Sequence, residues 1–320
     1  MNYKKQIVLI VIALSITQYT LAQEVPGEFE FIEFLSTFGA GAEPGWGDDD
    51  HVQTFFFIVP KSYVKPVYIR VYDPDTGGSH DEPNNEFNTK TKFSVYAGQG
   101  THAHPDARKI DPVGNYKSGH LVQSKIFGNE AKYDKKWYTF GPFNPQEGEE
   151  SDLLGGYVFK IITEGLIGDD GNLYKYFLSV NPDNNKEVEG SNAFTYEYSI
   201  RLPEPELVVT HLYPFIDDKV VSFTQHNFDF DGEGNIYIYS LAKNRHDGNI
   251  SSHEKWAEST HMVADEEKNT TIDIQIVKVQ KSRNDMVLYL KNQYGDAIAF
   301  FSTPIGGPPK YKYKVNLNYH

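Results

Sequence analysis

The sequence predicts an all-β protein, two β-sandwich domains of immunoglobulin-like or jelly-roll-like character behind a signal peptide. Three observations predict it. The chain of 320 residues holds 22 Tyr and 21 Phe, and with Val and Ile these gather in short runs that suit a half-buried pleated surface. Clusters of Gly, Pro, Asn and Asp punctuate the runs. Long stretches of helical periodicity are scarce.

The elements follow in order. Residues 1–22, "MNYKKQIVLIVIALSITQYTLA", read as a secretory signal peptide. Lys4 and Lys5 supply the positive start and Gln6 to Ile16 the apolar core. Thr20 and Ala22 are the small residues before a cut. The core is too short for a membrane span, and no later run approaches the roughly 20 apolar residues that one needs. The first domain is expected over 23–203. Its strand-like runs include "VQTFFFIV", "PVYIRVYD", "TKFSVYAG", "HLVQSKIF", "KWYTFGPF", "GYVFKIITE", "LYKYFLSV" and "AFTYEYSIRL". In "PVYIRVYD", Val67, Ile69 and Val71 alternate with Tyr68, Arg70 and Tyr72, the period of a strand with one buried face.

"RLPEPELVV", with two prolines and two glutamates, reads as an interdomain connection. An immunoglobulin-like sandwich is expected over 204–306, from "VVSFTQHNFDF", "NIYIYSLAK", "TIDIQIVKVQ", "DMVLYLKN" and "AIAFFSTPI". "EKWAESTHMVADEE" breaks the alternation and reads as a short helix or long loop. "GDDGN" (168–172) and "DFDGEGN" (229–235) read as hairpin turns. Residues 307–320 form a tail that begins with a linker-like "GPP".

Export without disulfides is implied, because the chain has no cysteine. With Lys4 and Lys5 removed, 28 basic residues stand against 44 acidic ones, a net charge of −16. That balance argues against nucleic acid and anionic membrane surfaces as partners. It favours solubility and cation binding.

The richest chemistry lies in "RVYDPDTGGSHDEPNN", residues 70–85. Asp73, Asp75, Asp81 and Glu82 lie close together on a loop that leaves a strand. Gly77 and Gly78 allow the backbone to bend and offer carbonyls. Ca²⁺ takes six to eight oxygens, often from one loop, and like-charged carboxylates held together need a cation. The sequence therefore marks these four acids as Ca²⁺ ligands, with a solvated hairpin loop as the simpler alternative.

Other motifs are incomplete. "THAHPDA" places His102, His104 and Asp106 at a spacing that can hold zinc, and a zinc hydrolase is a remote alternative. "HEKWAE" has Ala257 where a zincin helix needs its second His. There is no G-x-S-x-G motif and no cysteine nucleophile. Two carboxylates at a suitable separation would serve a glycosidase, and Trp46, Trp137 or Trp256 could stack on sugar rings, so a carbohydrate-binding or carbohydrate-cleaving protein is the main alternative. For Trp137, core packing is the better reading.

Several long strings, "PVYIRVYDPDTGG", "FNTKTKFSVYAG", "KWYTFGPFNPQEGE", "GDDGNLYKYFLS", "NAFTYEYSIRL" and "YPFIDDKVVS", resemble the N-terminal β-rich module of long Bacteroidetes envelope proteins that often end in an OmpA-like domain. The resemblance runs from about residue 50 to "STPIGGPPKY". No OmpA-like segment occurs in this sequence, so direct peptidoglycan anchoring is not expected. The resemblance implies an exported protein, periplasmic or secreted, and carries over no site residues. The expectation is a non-enzymatic binding or scaffolding protein of the cell envelope, stabilised by Ca²⁺, with an envelope protein or a glycan as partner.

Overall fold

The computed structural model describes residues 24–43, 51–110, 115–230, 234–252 and 255–306. The leader, Trp46, the start of "HEKWAE" and the tail lie outside these residues. The protein is all-β, and its strand pairs are antiparallel.

Two large sheets face each other. One runs, edge to edge, Ala257–Met262, Ser222–Phe228, Asp285–Asn292, Glu197–Arg201, Phe34–Phe38, Gly171–Ser179, Val67–Tyr72 and Trp137–Phe143, with Glu24–Val25 also paired to Gly171–Ser179. The other runs Phe300–Phe301, Asn192–Thr195, Val52–Pro60, Gly156–Ile167, Lys90–Ala97 and His120–Phe127, with Glu149–Ser151 beside Gly156–Ile167. A four-stranded sheet of Val209–Leu212, Asp273–Lys278, Gly234–Tyr239 and His246–Gly248 completes the main framework. Strands from either side of residue 203 share the first sheet, since Asp285–Asn292 pairs with Glu197–Arg201.

The alternation in "PVYIRVYD" is realised, with Val67, Ile69 and Val71 fully buried in the core. They meet an aromatic layer. Phe55 and Phe57 approach Tyr176 edge-on at 5.8 and 6.1 Å, and Phe93 meets Tyr174 at 5.2 Å. Each fully buried Phe contributes about 1.5–3 kcal/mol of transfer free energy. The continuous run "FFFIV" has a different cause. Phe55, Phe57 and Val59 face the main core, while Phe56 and Ile58 pack outward against Val158, Phe194 and Phe301. A strand covered on both faces has no polar side and reads as unbroken apolar sequence.

Three details depart from the sequence reading. "GDDGN" does not close a hairpin, because Gly156–Ile167 and Gly171–Ser179 belong to different sheets. The turn is a corner between layers, and Asp170 is buried there, accepting the N–H groups of Asn84, Asn88 and Thr89. Where a helix or loop was expected, Ala257–Met262 is an edge strand paired with Ser222–Phe228. Its alternation is hidden because its buried position is His261, while Glu258, Thr260 and Met262 are exposed. Arg70, on the outward side of its strand, is only 4% exposed. Its guanidinium donates to Thr139, Asn185 and the Asp183 carbonyl and lies over Trp137.

Candidate metal centre

The acid-rich loop begins where Val67–Tyr72 ends. Asp73 takes a left-handed backbone angle, φ +54°, which turns the chain out of the sheet. The loop is zipped to the segment joining His120–Phe127 to Trp137–Phe143. Asp73 N donates to Lys136 O at 2.9 Å, and Thr76 N to Gly128 O at 3.2 Å.

Asp73 and Asp75 are both completely buried. One oxygen of each is used, since Asp73 Oδ1 accepts from Lys135 N at 2.9 Å and Asp75 Oδ2 from Glu130 N at 3.2 Å. The other two, Asp73 Oδ2 and Asp75 Oδ1, are buried without a hydrogen-bond partner, and so is Asp134 Oδ1. Buried polar oxygens are nearly always satisfied, and these three are of one charge type in one region. Burial pushes the Asp73 carboxyl up to about 7, against the Lys135 N–H bond that lowers it, and the Asp75 and Asp134 charges add to the rise. Burial likewise lifts Asp75 to about 6, with Asp134 and Glu130 adding to it.

Gly77 and Gly78 bring the backbone against the neighbouring segment. A Cβ on Gly78, at φ +79°, would lie 2.3 Å from Asp134 Oδ1, and one on Gly77 would lie 2.8 Å from Asn129 Oδ1. Asn129 and Asp134 thus join the site. The sequence reading missed both, because nothing in "GNEAKYDKK" marks them as neighbours of a loop so far back in the chain.

The other two expected ligands have different work. Asp81 gives both oxygens to backbone N–H groups, Gly77 at 2.6 Å and Leu173 at 2.7 Å. Glu82 Oε2 lies 3.2 Å from Arg201 Nη2 and 3.4 Å from Arg283 Nη1. They fasten the loop to the rest of the fold. Among the described residues, no group of three or more His, Cys, Asp or Glu side chains is placed to hold a metal ion. The Asp134 charge raises both Asp73 and Asp75, and the Asp75 charge raises Asp73.

His102, His104 and Asp106 are part of a folded loop. His102 is packed edge-on against Phe56 and Phe194, both at 5.4 Å, and its Nε2 pairs with Tyr196 Oη at 2.9 Å. Burial pulls its pKa down to about 4. His104 Nδ1 accepts from Asp106 N at 3.2 Å, and Asp106 pairs with Lys109 at 3.0 Å. Glu149 gathers the loop by accepting the N–H groups of Gly100, His102 and Ala103 at 2.8, 2.5 and 2.9 Å. Trp137 packs 5.4 Å from Tyr72, whereas Trp256 is 37% exposed.

No family model matches the sequence, and no curated protein matches it. Among solved structures, a chain from the structure of the Macrobrachium rosenbergii nodavirus aligns with 92% of this chain and 97% of its own length. The identity is 8% and the TM-score 0.15, so no argument rests on it. Among the described residues, no helix is long and apolar enough to cross a membrane.

Proposed function

We propose that this chain is an exported, non-enzymatic binding or scaffolding protein of the bacterial cell envelope, in which Ca²⁺ closes the acid-rich loop. The observation that carries the metal part is the set of buried, unpartnered oxygens on Asp73, Asp75 and Asp134. Side-chain oxygens from Asp73, Asp75, Asp134 and Asn129, with loop carbonyls, suit the all-oxygen shell that Ca²⁺ takes. A divalent ion would relieve the mutual repulsion of the acids and join the 73–86 loop to the 128–136 segment. Export is supported by the leader-like first 22 residues. The β-sandwich with a stiffened loop suits a recognition surface.

Melting of the mature chain in calcium and in EDTA tests the reading, with an Asp73→Asn, Asp75→Asn double variant alongside. A ligand at 100 times its Kd adds about 2.7 kcal/mol. The expected result is a calcium-dependent rise of several degrees that the double variant lacks. Identical melting in calcium and EDTA would remove the metal from the proposal. Fractionation of cells expressing the chain with and without residues 1–22 tests export separately.

A further inference from the structure

The outward face of the first sheet carries a row of side chains across four neighbouring strands. Glu258 is paired in register with His226, His226 with Tyr289, and Tyr289 with Glu197. Directly opposed residues project from the same face. Phe223, Leu288 and Leu290 fill the inner core, so by strand alternation this row faces away from it.

The row is built around aromatic rings. His226 and Tyr289 stack at 4.5 Å, 22° between planes. Trp256 lies flat on Phe228 at 5.1 Å and meets Tyr289 at 5.2 Å. Phe228 thus backs one side of the indole, and Trp256 is 37% exposed. Around it stand groups that exchange hydrogen bonds with hydroxyls. His226 Nδ1 is 3.1 Å from Glu258 Oε1, whose side chain is 64% exposed, and Lys291 Nζ is 5.0 Å from the Tyr289 ring centre. At the far end, Glu197 borders a cleft lined by Ser199, Lys109 and Tyr196.

We propose that this face is a saccharide-binding site. A pyranose has one apolar C–H face, which matches a flat, backed indole, and a rim of hydroxyls that both donate and accept. The expected seat has the sugar ring on Trp256, its hydroxyls on the exposed Glu258, which the buried His226 holds in place, and the chain running past Tyr289 toward Glu197. The charges along the row are mixed, which disfavours a strongly charged partner. Binding rather than cleavage is the reading, because the two carboxylates of the row, Glu258 and Glu197, come from strands three intervals apart, roughly 14 Å between backbones, whereas a glycosidase needs its carboxyl groups about 5–9.5 Å apart. This proposal gives the binding reading a partner class and rests on that reading, but not on its metal.

The test is calorimetric titration of the mature chain with cellohexaose, xylohexaose, mannohexaose and chitohexaose. At least one should bind with a Kd below about 1 mM. Trp256→Ala should weaken it at least tenfold, Trp256→Phe less, and Glu258→Gln several-fold, with wild-type melting retained. No binding of any of the four at about 5 mM, or an unchanged Kd in Trp256→Ala, overturns the proposal. If that variant fails to fold, an unchanged Kd in Glu258→Gln overturns it instead. Saccharide binding without a calcium effect would strike only the metal, and a calcium effect without saccharide binding only this site.

Discussion

Arg201 and Asp285 form a two-point ion pair between adjacent strands, Nε to Oδ1 at 2.6 Å and Nη2 to Oδ2 at 2.5 Å. Each side chain is only 6% exposed. Glu82, from the acid-rich loop, shares the same guanidinium. The pair therefore ties three distant parts of the chain at one point. Removing Asp285 leaves the buried Arg201 guanidinium with only the partly exposed Glu82 against it, so Asp285→Ala should cost up to about 3–5 kcal/mol. An Arg201→Met, Asp285→Leu double variant should cost less than the two single changes together. Urea unfolding of the four proteins checks the non-additivity.

Gly78 is the sharpest steric probe of the loop. At φ +79°, and with Asp134 Oδ1 only 2.3 Å from where a Cβ would sit, Gly78→Ala must move the loop away from Asp134. A cost of about 1–3 kcal/mol is expected from the backbone alone. If Asp134 shares a cation with Asp73 and Asp75, the variant should also lose most of its calcium response. Melting with and without calcium separates the two effects.

The raised acids predict an unusual pH dependence in EDTA. Asp73 sits near 7 and Asp75 near 6, chiefly through burial, against about 3.9 in an unfolded chain. Between those values the folded protein binds more protons than the unfolded one, so stability falls as pH rises from about 4 to 7. The contribution is complete below the unfolded pKa and lost as pH passes the folded values. The double Asn variant should flatten this slope. In calcium the trend should oppose it, because protons and the ion compete for the same oxygens, and acidification below about pH 6 should erase the calcium-induced rise. Melting curves across pH 4–8, with both additives, give the sign directly.

Glu149 predicts a loop effect rather than a catalytic one. Its carboxylate holds three backbone N–H groups of the 100–103 segment. Hydrogen bonds to a charged group contribute roughly 1.5–3 kcal/mol each, and an acceptor's loss is partly compensated by water. Glu149→Ala should therefore cost about 2–4 kcal/mol and accelerate hydrogen exchange at His102 and Ala103. Unchanged exchange at those amides would show that the loop is held by the His102 ring instead.

The acid loop was legible in the sequence as a concentration of carboxylates, and Asp73 and Asp75 are its buried members that each keep one oxygen without a hydrogen-bond partner. Asp81 and Glu82 look the same in one dimension, yet Asp81 is consumed by Gly77 and Leu173 and Glu82 by two arginines. Composition reports how many acids a loop has. It does not report which of their oxygens find a donor across the sheet. The link from Asp73 to Lys135, 62 positions apart, has no local signature.

By itself the sequence determined the all-β class, the alternation of Val67, Ile69 and Val71, and the apolar core of "FFFIV", because these depend on periodicity and on turn residues a few positions apart. Only the tertiary structure decided that "GDDGN" is a corner between layers, that Ala257–Met262 is an edge strand, and that Glu258, His226, Tyr289 and Glu197 stand in one row. Those relationships come from pairing between strands distant in the chain. Hydrogen bonding between backbones is nearly blind to side-chain identity, so the partner of each strand is set by how the whole core packs.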